Sequence, residues 1–146
     1  MKFYIDTSVF GGVFDDEFKA HTVPFFEYIQ QNRYTILYSD VCQKEISEAP
    51  SKVQNLVDSL EHIEIVCLNK EMSALAELYI KEGTLRPQDI NDAEHIAIAT
   101  VASASALISW NFKHMVNFFK IKQYNAINLR EGYRMINIHS PKEAYE

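Results

Sequence analysis

Four polar residues stand where the chain passes from a strand-like run into a helix or turn: Asp6, Glu45, Asp92 and Asn111. Each has a bland explanation on its own. Asp6 precedes Thr7 and Ser8 and suits a helix N-cap. Glu45 fits a solvated helix face. Asp92 suits the third residue of a capping box opened by Asp89, and Asn111 a turn. Taken together they imply more. Three carboxylates gathered without basic partners repel one another and lose hydration, and a divalent cation removes that cost. Oxygen-only donors that keep some waters suit Mg²⁺ or Mn²⁺ rather than Zn²⁺. The chemistry open to such a centre is metal-assisted hydrolysis, with an activated water attacking a phosphate.

Whether these residues meet depends on the elements that carry them. Phe3 to Ile5 reads as a strand ended by Asp6. A helix is expected over roughly Glu17 to Asn32, and a β-branched, aromatic strand over Tyr34 to Tyr38. Ser39 and Asp40 offer an N-cap, with Asp40 and Gln43 spaced as a capping box, for a short helix through Glu45 to about Glu48. Helices follow at about Lys52 to His62 and Lys70 to Glu82, with a strand at Ile63 to Leu68 between them and Gly83 as a C′ stop. Gln88 to Ala104 is the most apolar helix and is expected to be buried on several sides. A strand at Leu107 to Ser109, a helix at about His114 to Tyr124, a strand at Met135 to Ile138 and a tail from Pro141 to Glu146 complete the pattern. Strands alternating with helices specify an α/β fold with a mostly parallel central sheet between helical layers. No repeat or linker interrupts residues 1–146, which read as one domain. In such sheets ligands bind beyond the carboxyl ends of the strands, where Asp6, Glu45, Asp92 and Asn111 would gather.

Composition narrows the classes. The formal charge of -6 argues against a module that binds nucleic acid by coating its phosphates. It does not oppose a nuclease, because a bound cation reverses the local sign of an acidic site. Cys42 and Cys67 have no metal-ligand spacing and read as small core residues in a reducing compartment. No apolar run approaches the roughly 20 residues needed to span a membrane, and the N-terminal residues do not form a signal peptide. A cytoplasmic location is expected. No Gly-x-Ser-x-Gly elbow, Walker loop or dinucleotide fingerprint is present. A receiver-like phosphotransfer domain fits poorly, since Asp15 and Asp16 do not follow a strand in the required way.

The ordered set of motifs resembles the PIN-domain family, and within it the toxins of VapC-type toxin–antitoxin pairs. The resemblance lies in Phe3-Tyr4-Ile5-Asp6-Thr7-Ser8, in Glu45-Ile46, in Asp92-Ala93-Glu94-His95-Ile96-Ala97-Ile98-Ala99 and in Leu107-Ile108-Ser109-Trp110-Asn111, across about the first 130 residues. It implies a PIN-like three-layer α/β/α fold and a Mg²⁺- or Mn²⁺-dependent endoribonuclease that cuts single-stranded RNA. It also implies a cognate antitoxin and a homodimer. Asp6, Glu45 and Asp92 would be metal ligands, with Asn111 completing the catalytic set. Thr7, Ser8, Ser109 and Lys113 would contact substrate, with Thr7 or Ser8 hydrogen-bonding either the phosphate or a ligand carboxylate. Many PIN domains carry an acid where Asn111 stands. The amide keeps an oxygen able to accept from a water but loses the charge. That departure motivates a rival reading, a catalytically weakened PIN-fold module that binds RNA or protein. His95 is expected to pack and hydrogen-bond near the site, and Asp89 to serve as a cap or to supplement the missing acid. Phe112 to Tyr124, with Lys113, His114, Lys120 and Lys122 among its aromatics, is the expected RNA-facing stretch. There Phe118 and Phe119 read more readily as core.

Overall fold

The computed structural model describes residues 1–145. Five strands form one sheet in the order β3-β2-β1-β4-β5: β1 (Lys2–Ile5), β2 (Thr35–Ser39), β3 (Ile63–Val66), β4 (Ala106–Ile108) and β5 (Ile138–His139). Every strand pairing among the described residues is parallel. The period-2 alternation of a strand sends neighbouring side chains to opposite faces. Tyr4, Leu37 and Leu107 join one core cluster, and Phe3, Ile5, Ile36, Tyr38, Ala106 and Ile108 join the other. The first is covered by α5 (Lys70–Lys81), α6 (Ile90–Val101) and α7 (Phe118–Arg130). The second is covered by α1 (Thr7–Gly12), α2 (Lys19–Gln31), α3 (Asp40–Ser47) and α4 (Ser51–Ser59). A short α8 (Pro141–Ala144) closes the chain against α2. The fold is thus α/β, with helices on both faces of a fully parallel sheet.

The strand order reverses between β1 and β4. Chain leaves β1 toward β2 on one side, and β4 lies on the other. This leaves a crevice at the carboxyl ends of β1 and β4, and Asp6 and Ser109, the residues that follow these strands, flank it.

Several elements differ from the sequence expectation for local physical reasons. Thr7–Gly12 is a helix, although two glycines in six residues hid it. Ser39, not Asp40, caps α3, its Oγ accepting from Cys42 N at 3.0 Å. Asp40 instead accepts from Val41 N and Leu68 N, tying α3 to the exit of β3. Helix α6 begins after a 3₁₀ turn (Pro87–Asp89) and ends before the expected Ala104. The helix expected from His114 begins only at Phe118, because Asn117 caps it by accepting from Lys120 N at 3.1 Å. It then runs past Tyr124 to Arg130. Strand β5 lies later than Met135 to Ile138, and Pro141 opens a helix rather than a tail. Cys42 is buried as expected, whereas Cys67 is exposed. Gly83 does end α5, with φ of +83° and its N–H returned to Ile80 O. No helix of the described residues is long and apolar enough to cross a membrane.

One glycine in α1 is dictated by packing. A Cβ at Gly12 would stand 2.9 Å from both Thr22 Oγ1 and Trp110 Nε1, atoms that are themselves hydrogen-bonded at 2.9 Å. That contact pins the loop after β4 to α2. Gly12→Ala should therefore lower stability by about 1–3 kcal/mol, despite the better helix propensity of alanine. Urea denaturation reads this directly, and an unchanged midpoint would mean the indole and hydroxyl move aside freely.

Candidate active site

Asp6 occupies the N-cap position of α1, yet its side chain makes no capping bond. Its Oδ2 accepts instead from Ser8 Oγ and Ser109 Oγ, both at 2.8 Å. The second bond spans the crevice between β1 and β4. Oδ1 is left for His95, whose Nε2 lies 3.6 Å away. The carboxylate is 6% exposed, so its orientation is set by protein rather than by solvent. Burial with a free oxygen argues against the simple capping reading of Asp6.

Glu45 reaches the same place from α3. Its Oε1 accepts from Thr7 Oγ1 at 3.2 Å and meets His95 Nε2 at 2.5 Å. Burial, the largest single influence, would raise its pKa, but the hydrogen bond and charge of His95 together with the Thr7 hydrogen bond hold Glu45 below the usual value of 4.5. Asp92 lies in the first turn of α6. Its carboxylate accepts no backbone N–H, so the capping box with Asp89 does not form. Asp89 turns back instead and accepts from Arg86 N and Nε. The one partner of Asp92 among the described residues is Asn111 Nδ2, at 3.4 Å from Oδ2. Burial, then the charge of Asp6, push the Asp92 pKa above its ordinary value. Such a shift marks negative charge that a cation would relieve.

His95 is the hub of this arrangement. It is 1% exposed. Burial would lower its pKa, but the Glu45 hydrogen bond and the charges of Asp6, Glu45 and Asp92 raise it above 6.5. A protonated ring donates from both nitrogens: Nε2 to Glu45, and Nδ1 to Tyr4 Oη at 2.5 Å. Tyr4 Oη then donates to Ser39 Oγ at 2.7 Å, the atom that caps α3. Burial holds the Tyr4 phenol well above its usual range, so it remains a donor. This network links β1, β2, α3 and α6 behind the carboxylates.

Of the two partners expected for Thr7 and Ser8, a phosphate or a ligand carboxylate, the structure shows the carboxylates, and Ser109, expected to meet substrate, is turned inward as well. Thr7 serves Glu45, while Ser8 and Ser109 serve Asp6. The Asn111 oxygen, expected to face a water, accepts from Lys113 N at 3.1 Å and His114 N at 3.0 Å. Its amide nitrogen faces Asp92. Asn111 thus shapes the loop after β4 and offers Asp92 one long hydrogen bond. Lys113 is exposed at the same rim.

The residues fit a divalent ion by their chemistry. Asp6 Oδ1, Glu45 Oε2 and Asp92 Oδ1 accept no hydrogen bond from the described residues except for the long His95 contact to Asp6. Each carboxylate has its other oxygen anchored. The free atoms are hard oxygen donors of the kind Mg²⁺ and Mn²⁺ take. The three do not close into one tight cluster, however. The group of three His, Cys, Asp or Glu residues with donor atoms all within 4.8 Å is Asp89, Asp92 and His114. His95 Nε2 stands between Asp6 Oδ1 and Glu45 Oε1. The sequence offers Asp89 as a cap or as a supplementary acid one turn before Asp92, and His114 as an RNA-facing cation. The three-residue spacing of Asp89 and Asp92 was a usable signal, but the approach of His114 was not.

The stretch beyond Asn111 is also rearranged. Phe112, Phe118 and Phe119 are 52%, 67% and 74% exposed, so Phe118 and Phe119 are surface rather than core. Lys122 lies over the Phe118 ring at 4.8 Å. Lys120 is committed to Thr84 O. An open surface depression of about 620 Å³, lined by Leu68, Asn69, Lys70, Ser73, Ala74 and Glu77, contains none of these residues.

No family model matches the sequence, and no curated protein matches it. Solved structures do match. VapBC2 from Rickettsia felis, bound to a DNA fragment from their promoter, contains a chain 16% identical, with 96% of this chain and 98% of that one covered and a TM-score of 0.63. FitAcB from Neisseria gonorrhoeae gives 13% identity, 97% and 99% coverage and a TM-score of 0.61. A toxin–antitoxin complex from Klebsiella pneumoniae gives 17% identity, 80% and 92% coverage and a TM-score of 0.58. At these identities the likeness is one of fold. What this chain shares with those structures is a PIN-like α/β architecture.

Proposed function

We propose that this chain is a Mg²⁺- or Mn²⁺-dependent endoribonuclease that hydrolyses single-stranded RNA, and that it is the toxin of a toxin–antitoxin pair. The observation that carries the reading is the approach of Asp6, Glu45 and Asp92 to a buried His95 at the strand carboxyl ends, each keeping an uncommitted oxygen. The toxin role and the antitoxin partner rest on the fold shared with toxin–antitoxin complexes. The homodimer rests on the family resemblance of the motifs.

Asp6, Glu45 and Asp92 would hold the cation. Bound there, it supplies Lewis acidity to the scissile phosphate and lowers the pKa of an attacking water. The chain's own residues prepare that step. Ser8 and Ser109 fix the Asp6 carboxylate, and Thr7 and His95 fix Glu45. Asn111 fixes the loop carrying Lys113, whose ammonium would meet a phosphate. The sheet and α6 exclude water from behind the acids. RNA would approach over the rim formed by Phe112, Lys113, Phe118 and Lys122. Unpaired bases stack on exposed rings with a gain of about 1–3 kcal/mol each. Phe118→Ala combined with Phe119→Ala should weaken single-stranded RNA binding at least tenfold and leave the melting temperature unchanged. Fluorescence anisotropy with a labelled oligonucleotide measures it, and equal affinities would remove these rings from the RNA path.

The test of function is incubation of the folded, antitoxin-free protein with mixed-sequence single-stranded RNA in Mn²⁺, Mg²⁺ or EDTA. Cleavage with either metal and none in EDTA supports the nuclease. One observation favours the alternative, a PIN-fold module that binds RNA or protein without cutting: Asn111 brings an amide, not a fourth acid, to Asp92. RNA retained but intact under all three conditions would select that alternative. Asn111→Asp separates the two further. It keeps the acceptor for Lys113 N and His114 N but replaces the amide donor with a charge beside Asp92. Its metal-free form should melt earlier and its Mn²⁺ affinity should rise, and calorimetry in and out of EDTA reads both.

A further inference from the structure

We propose that Asp89, Asp92 and His114 form a second cation site, for a divalent transition metal of the Mn²⁺–Zn²⁺ class, joined to the three-carboxylate centre through Asp92. The geometry comes from three separate pieces of chain. Asp89 ends the 3₁₀ turn, Asp92 follows one turn later on the same side of α6, and His114 crosses from the loop after β4. One donor atom from each lies within 4.8 Å of the others. His114 Nε2 is 3.5 Å from Asp89 Oδ1. That is long for a charged hydrogen bond. It matches the roughly 3.4 Å between two donors that each sit about 2.1 Å from one ion at a tetrahedral angle.

A second observation, independent of the acids, points to a ligand. His114 is 9% exposed, and its Nδ1 is shielded from solvent with no hydrogen-bond partner. A buried imidazole with one nitrogen orphaned and the other in a long contact is not explained by the protein around it. Its backbone, by contrast, is held firmly. Asn111 Oδ1 accepts its N–H, and its carbonyl accepts from Tyr124 Oη at 2.6 Å. Asp89 is equally prepared: Arg86 occupies Oδ2 and leaves Oδ1 toward the ring. The site is therefore preorganised on both sides, with Asp92 as the shared wall. An imidazole among the donors disfavours Mg²⁺ and favours Mn²⁺ or Zn²⁺. Two neighbouring sites of different character would let this chain hold two different ions.

The site does not depend on RNA cleavage, and its test reads binding alone. The full chain, stripped with EDTA and dialysed, is titrated with Zn²⁺, Mn²⁺ or Mg²⁺ chloride. Calorimetry follows affinity, and ¹⁵N spectra follow the histidine ring nitrogens for the diamagnetic ions. One equivalent of Zn²⁺ should shift the His114 ring resonances, and the same concentration of Mg²⁺ should not. His114→Gln should weaken Zn²⁺ binding at least tenfold while Mg²⁺ binding persists. Glu45→Gln should weaken Mg²⁺ binding and leave the His114 response to Zn²⁺ intact. Asp89→Asn should behave as His114→Gln does. If His114→Gln binds Zn²⁺ as the parent does, or if saturating Zn²⁺ leaves the His114 ring unmoved, the site is refuted.

Discussion

Asp6→Asn is expected to abolish metal-dependent RNA cleavage, with a loss of about a thousandfold or more, while the protein folds as before. The size follows from the several kcal/mol of charge stabilisation that a bound cation lends to phosphoryl chemistry, where about 4 kcal/mol is a thousandfold in rate. The intact fold follows from the hydrogen bonds. An amide oxygen can still accept from Ser8 Oγ and Ser109 Oγ, so the crevice between β1 and β4 stays closed. The metal-free variant should even gain stability, because the Asp6 charge is one of the forces that raise the Asp92 pKa. Asp92→Asn should lose activity equally. Among the described residues its one hydrogen-bond partner is the long Asn111 contact, so little packing is at risk. Cleavage assays beside thermal melts in EDTA decide the matter. A variant that melts normally and cuts at the parental rate would remove the residue from the metal site.

His95→Gln is expected to cost the metal-free protein about 2 kcal/mol and to change how its stability depends on pH. The cost sits at the low end for breaking a buried ion pair, because Glu45 keeps 34% of its side chain in solvent and water screens it once the ring is gone. The pH effect has two limbs. His95 has its folded pKa raised, after its partners outweigh burial, so its contribution is complete below 6.5 and fades as pH rises through the higher folded value. Glu45 has its folded pKa lowered, so its contribution is complete above 4.5 and fades as pH falls through the lower folded value. The pair therefore stabilises most between these ordinary values, from about 4.5 to 6.5. Urea midpoints in EDTA from pH 4 to 9 should decline on the alkaline side for the parent and stay flatter for the variant. Parallel profiles would show that the pair carries no proton linkage.

The same residue illustrates how the sequence under-describes this site. A histidine three places after Asp92, on a helix that is otherwise Ala and Ile, reads as a core residue with a hydrogen bond. It is one, but its partners come from β1 and α3, 91 and 50 residues away. Nothing in the local pattern announces that one ring nitrogen will stand between Asp6 and Glu45. Asn111 was legible as a departure from an acid. That its oxygen would be spent on Lys113 N and His114 N, orienting a ring toward Asp89, was not.

What the sequence determined alone is the alternation of strands and helices, hence the parallel sheet, and with it the edge at which polar strand-end residues must gather. Apolar periodicity and turn residues are local signals, and they placed Asp6, Ser39 and Gly83 well. They failed where two local signals competed. Glycines obscured α1, and an exposed Phe118-Phe119 pair looked like core because aromatic residues usually are. Tertiary structure alone decided which carboxylate oxygens are anchored and which are free, that His95 stands between Asp6 and Glu45, and that Asp89 and His114 approach Asp92. The reason is physical. Hydrogen-bond direction, desolvation and charge coupling depend on groups brought together by crossover connections, and no window of sequence contains them.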